Sequence, residues 1–274
     1  MRNLTWRPPQ ATGWSGDLAR ASNAYDQGVP VDESELSASE RREALKDVYA
    51  QTQVCVRCAE LAATRKKVVF GAGNADAELM FVGEAPGASE DEQGVPFVGR
   101  AGKLLETLLA EIGLQRADVF IANTLKCRPP GNRDPQPAEI ANCRGYLYRQ
   151  VELIQPTVIC TLGNFSTKLL RDDPTGITRL HGQAEAQTLG RRAVWLYPIF
   201  HPAAALYTPR MLETLRQDFK GLPALLAQGP PEQPPWLDEP ELKVPEMEAD
   251  VSGASAGGRP GAPEPPEPDQ LGLF

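Results

Sequence analysis

Four short apolar runs, each followed by a different kind of segment, constrain this chain more than any other feature. They are Leu79-Met80-Phe81-Val82, Val119-Phe120-Ile121-Ala122, Thr157-Val158-Ile159-Cys160 and Val194-Trp195-Leu196-Tyr197. Each run is too short to make a helix, and its apolar residues are consecutive rather than alternating. That pattern belongs to strands buried on both faces. Helical stripes lie between the runs: Leu104, Leu105, Leu108, Leu109 and Ile112 form one, and Ile140, Leu147, Val151 and Ile154 another. Strands alternating with helices predict one three-layer α/β/α domain over about 51–228, with a central, mostly parallel, four-stranded sheet.

The ends of the 274-residue chain read differently. Residues 229–268 are rich in Pro, Glu, Gly and Ala with few large apolar groups, too few to offset the entropy of ordering them. We therefore expect a disordered linker there, and a partly disordered extension over 1–50. The formal charge of −8 is concentrated in these ends: ten acidic and two basic side chains fall within 229–274. The middle is left slightly basic, which permits contact with phosphates without arguing for it. No apolar run approaches the ~20 residues of a membrane span, and the first residues lack a secretory pattern. The expectation is a cytoplasmic protein whose cysteines serve as ligands or buried thiols rather than in disulfides.

In sheets of this kind, working residues sit just past the carboxyl ends of the strands. Here those positions hold Gly83-Glu84-Ala85-Pro86-Gly87, Asn123-Thr124, Gly163-Asn164 and His201-Pro202-Ala203-Ala204. Glycines, a carboxamide and a histidine would converge on one rim, able to hold a small planar ligand. The second histidine, His181, has no motif around it and reads as a surface or loop residue. Cys55-x2-Cys58 is a two-ligand hook, with Cys127 after the second strand and Cys143 in the following helix. Four thiolates from two distant pairs suit tetrahedral zinc or a cubane iron–sulfur cluster, and spacing alone does not separate the two. Cys160 lies inside an apolar strand and reads as core.

Taken in order, these segments resemble the family 4, iron–sulfur uracil-DNA glycosylases. The likeness spans about 51–228 and rests on the four cysteines, Gly83-Glu-Ala-Pro-Gly87 with Glu90-Asp91, and Val95-Pro-Phe-Val-Gly-Arg-Ala-Gly102. It continues through Asn123-Thr-Leu-Lys-Cys-Arg-Pro-Pro130 to His201-Pro-Ala-Ala204. The resemblance implies a structural 4Fe-4S cluster at Cys55, Cys58, Cys127 and Cys143. It also implies flipping of uracil out of DNA and hydrolysis of its N-glycosidic bond. Asn123 would read the N3–H and O4 edge of the base, Phe97 would stack on it, and Gly83, Ala85 and Gly87 would let the backbone approach it. His201 would hydrogen-bond O2 as negative charge develops there. Glu84 and Glu90 are the carboxylates left to position water, because Ala85 stands where other uracil glycosylases carry aspartate.

Ala205 takes the place where the family often has a leucine that wedges into the emptied base stack, so the wedge is either shifted to Leu206 or weakened. Ala85 and the uninterrupted Arg128-Pro-Pro-Gly-Asn-Arg-Asp-Pro135 segment argue against a covalent DNA-trapping relative. The full set Glu84, Phe97, Asn123 and His201 argues against a non-catalytic iron–sulfur DNA-binding module. A monomer acting on uracil-containing DNA is expected. At the end of the chain, within 269–274, Gln270, Leu271, Leu273 and Phe274 resemble the Gln-Leu-x-Leu-Phe peptides that bind the bacterial DNA sliding clamp.

Overall fold

The computed structural model describes residues 36–234. The linker expected over 229–268 lies almost wholly outside them, as do 1–35 and the clamp-like peptide. The described residues begin with α1 (Ala38–Gln53), then α2 (Ala59–Thr64), β1 (Ala72–Gly73) and β2 (Leu79–Gly83). Helices α3 (Ala88–Gln93) and α4 (Arg100–Glu111) lead to β3 (Phe120–Asn123), and α5 (Pro137–Ile154) leads to β4 (Val158–Leu162). Next come α6 (Asn164–Arg171), α7 (Ile177–Leu180), β5 (Glu185–Leu189), β6 (Arg192–Ile199), α8 (Pro202–Ala205) and α9 (Pro209–Leu226).

The sheet order is β1-β3-β2-β4-β6-β5, with β3, β2, β4 and β6 parallel and the two edges antiparallel. The four expected strands form its centre, but among the described residues the sheet has six. The two edge strands carry no apolar run. β1 has two residues, while β5 alternates half-buried with exposed positions as one-sided edge strands do. β5 folds back on β6 through Gly190, at φ +62, where a side chain would meet Glu152 Oε1 at 2.4 Å.

The alternation of side chains along each strand builds two cores. Met80, Val82, Phe120, Ala122 and Ile159 pack against α1 and α5 on one face. Phe81, Ile121, Val158, Cys160 and Ile199 pack against Leu105, Leu108 and Leu109 of α4 and Leu215, Phe219 and Leu222 of α9 on the other. Cys160 is fully buried, as its place in an apolar run implied. Helix α1 runs across the expected boundary at residue 50. Ser37 and Glu40 cap it reciprocally, and Leu45, Val48, Tyr49 and Thr52 bury one face of it against the domain. Its start was hidden because charged residues surround a narrow apolar stripe. Among the described residues no helix is long and apolar enough to cross a membrane.

Candidate active site

Strand register aligns the carboxyl ends of the parallel strands. Gly83 pairs with Asn123 and Leu162 with Ile199. From this rim the connection after β2 runs to α3 and α4 on one face, and the connection after β3 runs to α5 on the other. The two connections leave on opposite faces, and it is in the crevice outside such a divergence that open α/β sheets bind ligands. The pairing continues past the strand ends, because Thr124 N donates to Gly83 O at 3.0 Å and Leu125 N to Glu84 O at 3.0 Å.

Asn123 is 2% exposed, and its carboxamide has no hydrogen-bond partner among the described residues. A buried amide in that condition wants a ligand with one donor and one acceptor. Its Oδ1 lies where a Cβ on Gly83 would come within 2.4 Å, and the Phe97 ring would meet the same Cβ at 3.1 Å. The bare backbone of Gly83 is thus the floor on which both side chains rest.

Phe97 holds φ at 53°, a conformation L-residues avoid. Its surroundings impose this. Arg116 donates to Phe97 O at 3.1 Å and to Pro96 O, while Glu90 Oε1 accepts from Val98 N at 3.1 Å and Gly99 N at 3.2 Å. Gly102 passes so close that any Cβ there would lie 1.7 Å from Phe97 O. A turn braced on both sides presents a rigid ring to the crevice.

His201 caps the N-terminus of α8, and its Nδ1 accepts from Ala203 N at 3.1 Å. An accepting Nδ1 places the ring proton on Nε2, so the imidazole is a neutral donor toward the rim. Burial keeps His201 below the usual histidine range, with the nearby Glu90 charge pulling the other way. The His201 and Phe97 rings stack at 5.6 Å between centroids.

The two candidate carboxylates separate by environment. Glu90 is occupied bracing the Phe97 turn. Glu84 is half-buried and accepts no side-chain hydrogen bond among the described residues. Burial raises its carboxyl above the ordinary range, and Asp134 adds to the shift. Ala85 and Gly87 follow in the same loop, and a Cβ on Gly87 would meet Glu90 Oε2 at 2.7 Å. Ala205 is buried among the α9-side core, Leu206 is half-buried, and Tyr207 is 71% exposed under the Arg100 guanidinium. His181 is more anchored than expected. Its Nδ1 lies 3.1 Å from both Asp218 oxygens and its ring 4.7 Å from that of Phe200, which ties α7 to α9.

Away from the rim, Cys55, Cys58, Cys127 and Cys143 line one cavity, with Arg65, Asn142 and Lys126 beside them. Arg65 Nη1 donates to Cys127 Sγ at 3.2 Å, Lys126 N to Cys143 Sγ at 3.3 Å and Asn142 Nδ2 to Cys58 Sγ at 3.5 Å. Burial pushes the Cys143 thiol up to about 12 and raises Cys58 and Cys127 as well. Among the described residues no three His, Cys, Asp or Glu side chains close around a single metal ion. The sulfurs are disposed around a space instead, with N–H donors turned toward them, a donor set that fits a polynuclear cluster. Three residues of weight were not singled out from sequence: Arg116, Tyr207 and Lys126. Lys126 is buried despite its charge, and burial lowers it to about 8 against the pull of Cys143 and Cys127.

The pattern of the uracil DNA glycosylase superfamily matches residues 70–221. The type-4 uracil-DNA glycosylase of Archaeoglobus fulgidus is 45% identical over 194 residues, covering 69% of this chain and 96% of that protein. The type-4 uracil-DNA glycosylase of Thermotoga maritima is 42% identical over 167 residues, 61% of this chain and 85% of that protein. A type-5 uracil-DNA glycosylase of Pyrobaculum aerophilum is more distant, at 26% over 146 residues.

Proposed function

Since the chain belongs to the uracil DNA glycosylase superfamily, in its type-4 branch, and excises uracil from DNA, we infer that the rim built by Gly83, Asn123, Phe97 and His201 is its base pocket. The observation that carries this reading is the buried, unpartnered Asn123 carboxamide resting on the bare backbone of Gly83. Uracil offers N3–H to the amide oxygen and O4 to the amide nitrogen. Cytosine offers an amino group at that second position and is refused.

Phe97 stacks on the flipped ring, and Gly83, Ala85 and Gly87 admit the nucleotide close to the backbone. As the glycosidic bond breaks, negative charge moves onto the base. His201 Nε2–H meets it at O2 without giving up its proton, because a neutral imidazole is a weak acid. Glu84, whose carboxylate accepts no hydrogen bond among the described residues, orients water toward the sugar carbon and takes its proton. Leu206, next to the exposed Tyr207, enters the vacated stack.

The four thiols hold a 4Fe-4S cluster in this reading. Bound there, it cross-links the turn between α1 and α2 to β3 and α5 and supplies no step of the hydrolysis. Outside the described residues, Gln270, Leu271, Leu273 and Phe274 form a sliding-clamp peptide, with three apolar anchors for a groove and an amide for its edge.

The test is single-turnover excision from a uracil oligonucleotide, on protein whose iron has been measured. Asn123→Asp replaces a donor by an acceptor and should nearly abolish excision. His201→Ala should slow the chemical step by ~10²–10³, as loss of one oxyanion donor does. Unchanged rates in both variants would remove the pocket from this rim, and zinc in place of iron would remove the cluster.

A further inference from the structure

Lys126 is 2% exposed in the segment that leaves β3 toward Cys127. Burying an ammonium is costly unless every proton finds a partner. No carboxylate pairs with it among the described residues. Its Nζ donates to the Asn123 backbone carbonyl at 3.0 Å and to Gln150 Oε1, and the face of the Phe70 ring lies 5.9 Å away. Two carbonyls and a ring face account for three ammonium protons. Gln150, itself fully buried, is held in turn by donating to Phe70 O at 3.0 Å.

The Asn123 carbonyl needs such a partner. β1 reaches only Phe120 and Ile121, so no strand lies beside β3 at Asn123 on that edge. The ammonium supplies a bond where the short edge strand does not. At its other end the same residue donates its backbone N–H to Cys143 Sγ at 3.3 Å. One residue therefore touches both the peptide of the base-reading amide and a sulfur of the cysteine cavity.

We propose that Lys126 is a positioning residue that couples the cysteine cluster to the base pocket, holding the Asn123 peptide with its ammonium and the Cys143 sulfur with its amide. The proposal rests on the assignment of Asn123 and of the cluster made above. The ammonium also offsets the negative charge that four thiolates bring into the interior, which a neutral side chain of equal length cannot do. Coupling of this kind is reciprocal: what fixes Asn123 through Lys126 must let the occupant of the pocket register at the sulfur. Hydrogen bonds on the sulfurs tune the electronic properties of such a cluster, so the cluster itself is a reporter.

The experiment compares wild type with Lys126→Met, using free uracil as the pocket probe. Lys126→Met should keep its iron, bind free uracil about tenfold more weakly and lose kcat by a similar factor, while KM for the oligonucleotide is unchanged. Saturating uracil should alter the visible circular dichroism of the wild-type cluster and leave that of Lys126→Met unaltered. Wild-type uracil affinity in the variant, or a wild-type spectrum indifferent to uracil, overturns the proposal. Gln150→Glu serves where Lys126→Met fails to fold. Its carboxylate draws the ammonium from the Asn123 carbonyl, so uracil affinity and the spectral response should both diminish, and their equality with wild type overturns the proposal too. A wild-type protein without iron or without excision would instead overturn the earlier assignment.

Discussion

Two glutamates six residues apart show how much a side chain's role depends on what its oxygens already hold. Glu90 Oε1 accepts two backbone N–H groups and is committed to bracing the turn, whereas the Glu84 carboxylate is desolvated and accepts no hydrogen bond among the described residues. Both stand in one loop and look equivalent in sequence. Only the folded turn at Val98 and Gly99 distinguishes them. The raised Glu84 carboxyl gives the difference a sign. In the proposed role the ionised form takes the water proton, so kcat should fall as pH drops through a value above the ordinary carboxylate range. Glu84→Gln should lose that acid limb together with most of the rate. A pH–rate profile whose acid limb persists in Glu84→Gln would move the base elsewhere.

At the scale of elements, the legible parts were those whose burial is total. β2, β3, β4 and β6 sit in the middle of the sheet and betray themselves as apolar runs, and the α4 stripe follows from its packing on one face. The edge strands escaped because they face solvent on one side or are two residues long. Helix α1 escaped because Ser37, Glu40 and the arginines near it read as a polar extension. Lys126 escaped for a related reason: nothing in a charged residue's neighbours announces that its ammonium will be enclosed. The turn from α3 to α4 is the element on which the pocket's geometry most depends. Glu90→Gln weakens two charge-assisted bonds to backbone N–H and should cost about 1–3 kcal/mol of stability. Its pH profile should keep the wild-type shape, unlike that of Glu84→Gln. Thermal or urea unfolding checks the first expectation, and wild-type stability would mean that Arg116 and Gly102 hold the turn without it.

For the molecule as a whole, the proposed base pocket and the cysteine cavity are separate constructions that share β3 and its exit. The proposed clamp peptide adds a third function outside the described residues. Removing 270–274 should abolish binding to the sliding clamp in solution while leaving excision from short oligonucleotides as it was. Equal clamp binding by the truncated and intact chains would reduce those residues to a tail. Cys55 and Cys58 flank the turn after α1, whereas Cys143 lies well inside α5. A ribosome therefore delivers the first pair long before the last ligand exists, by roughly four to seventeen seconds at ordinary synthesis rates. In that interval two thiols wait in a nascent chain with nothing to close on, open to oxidants and to stray metals. On the proposed cluster assignment, production of active enzyme is a race between cluster delivery and thiol damage.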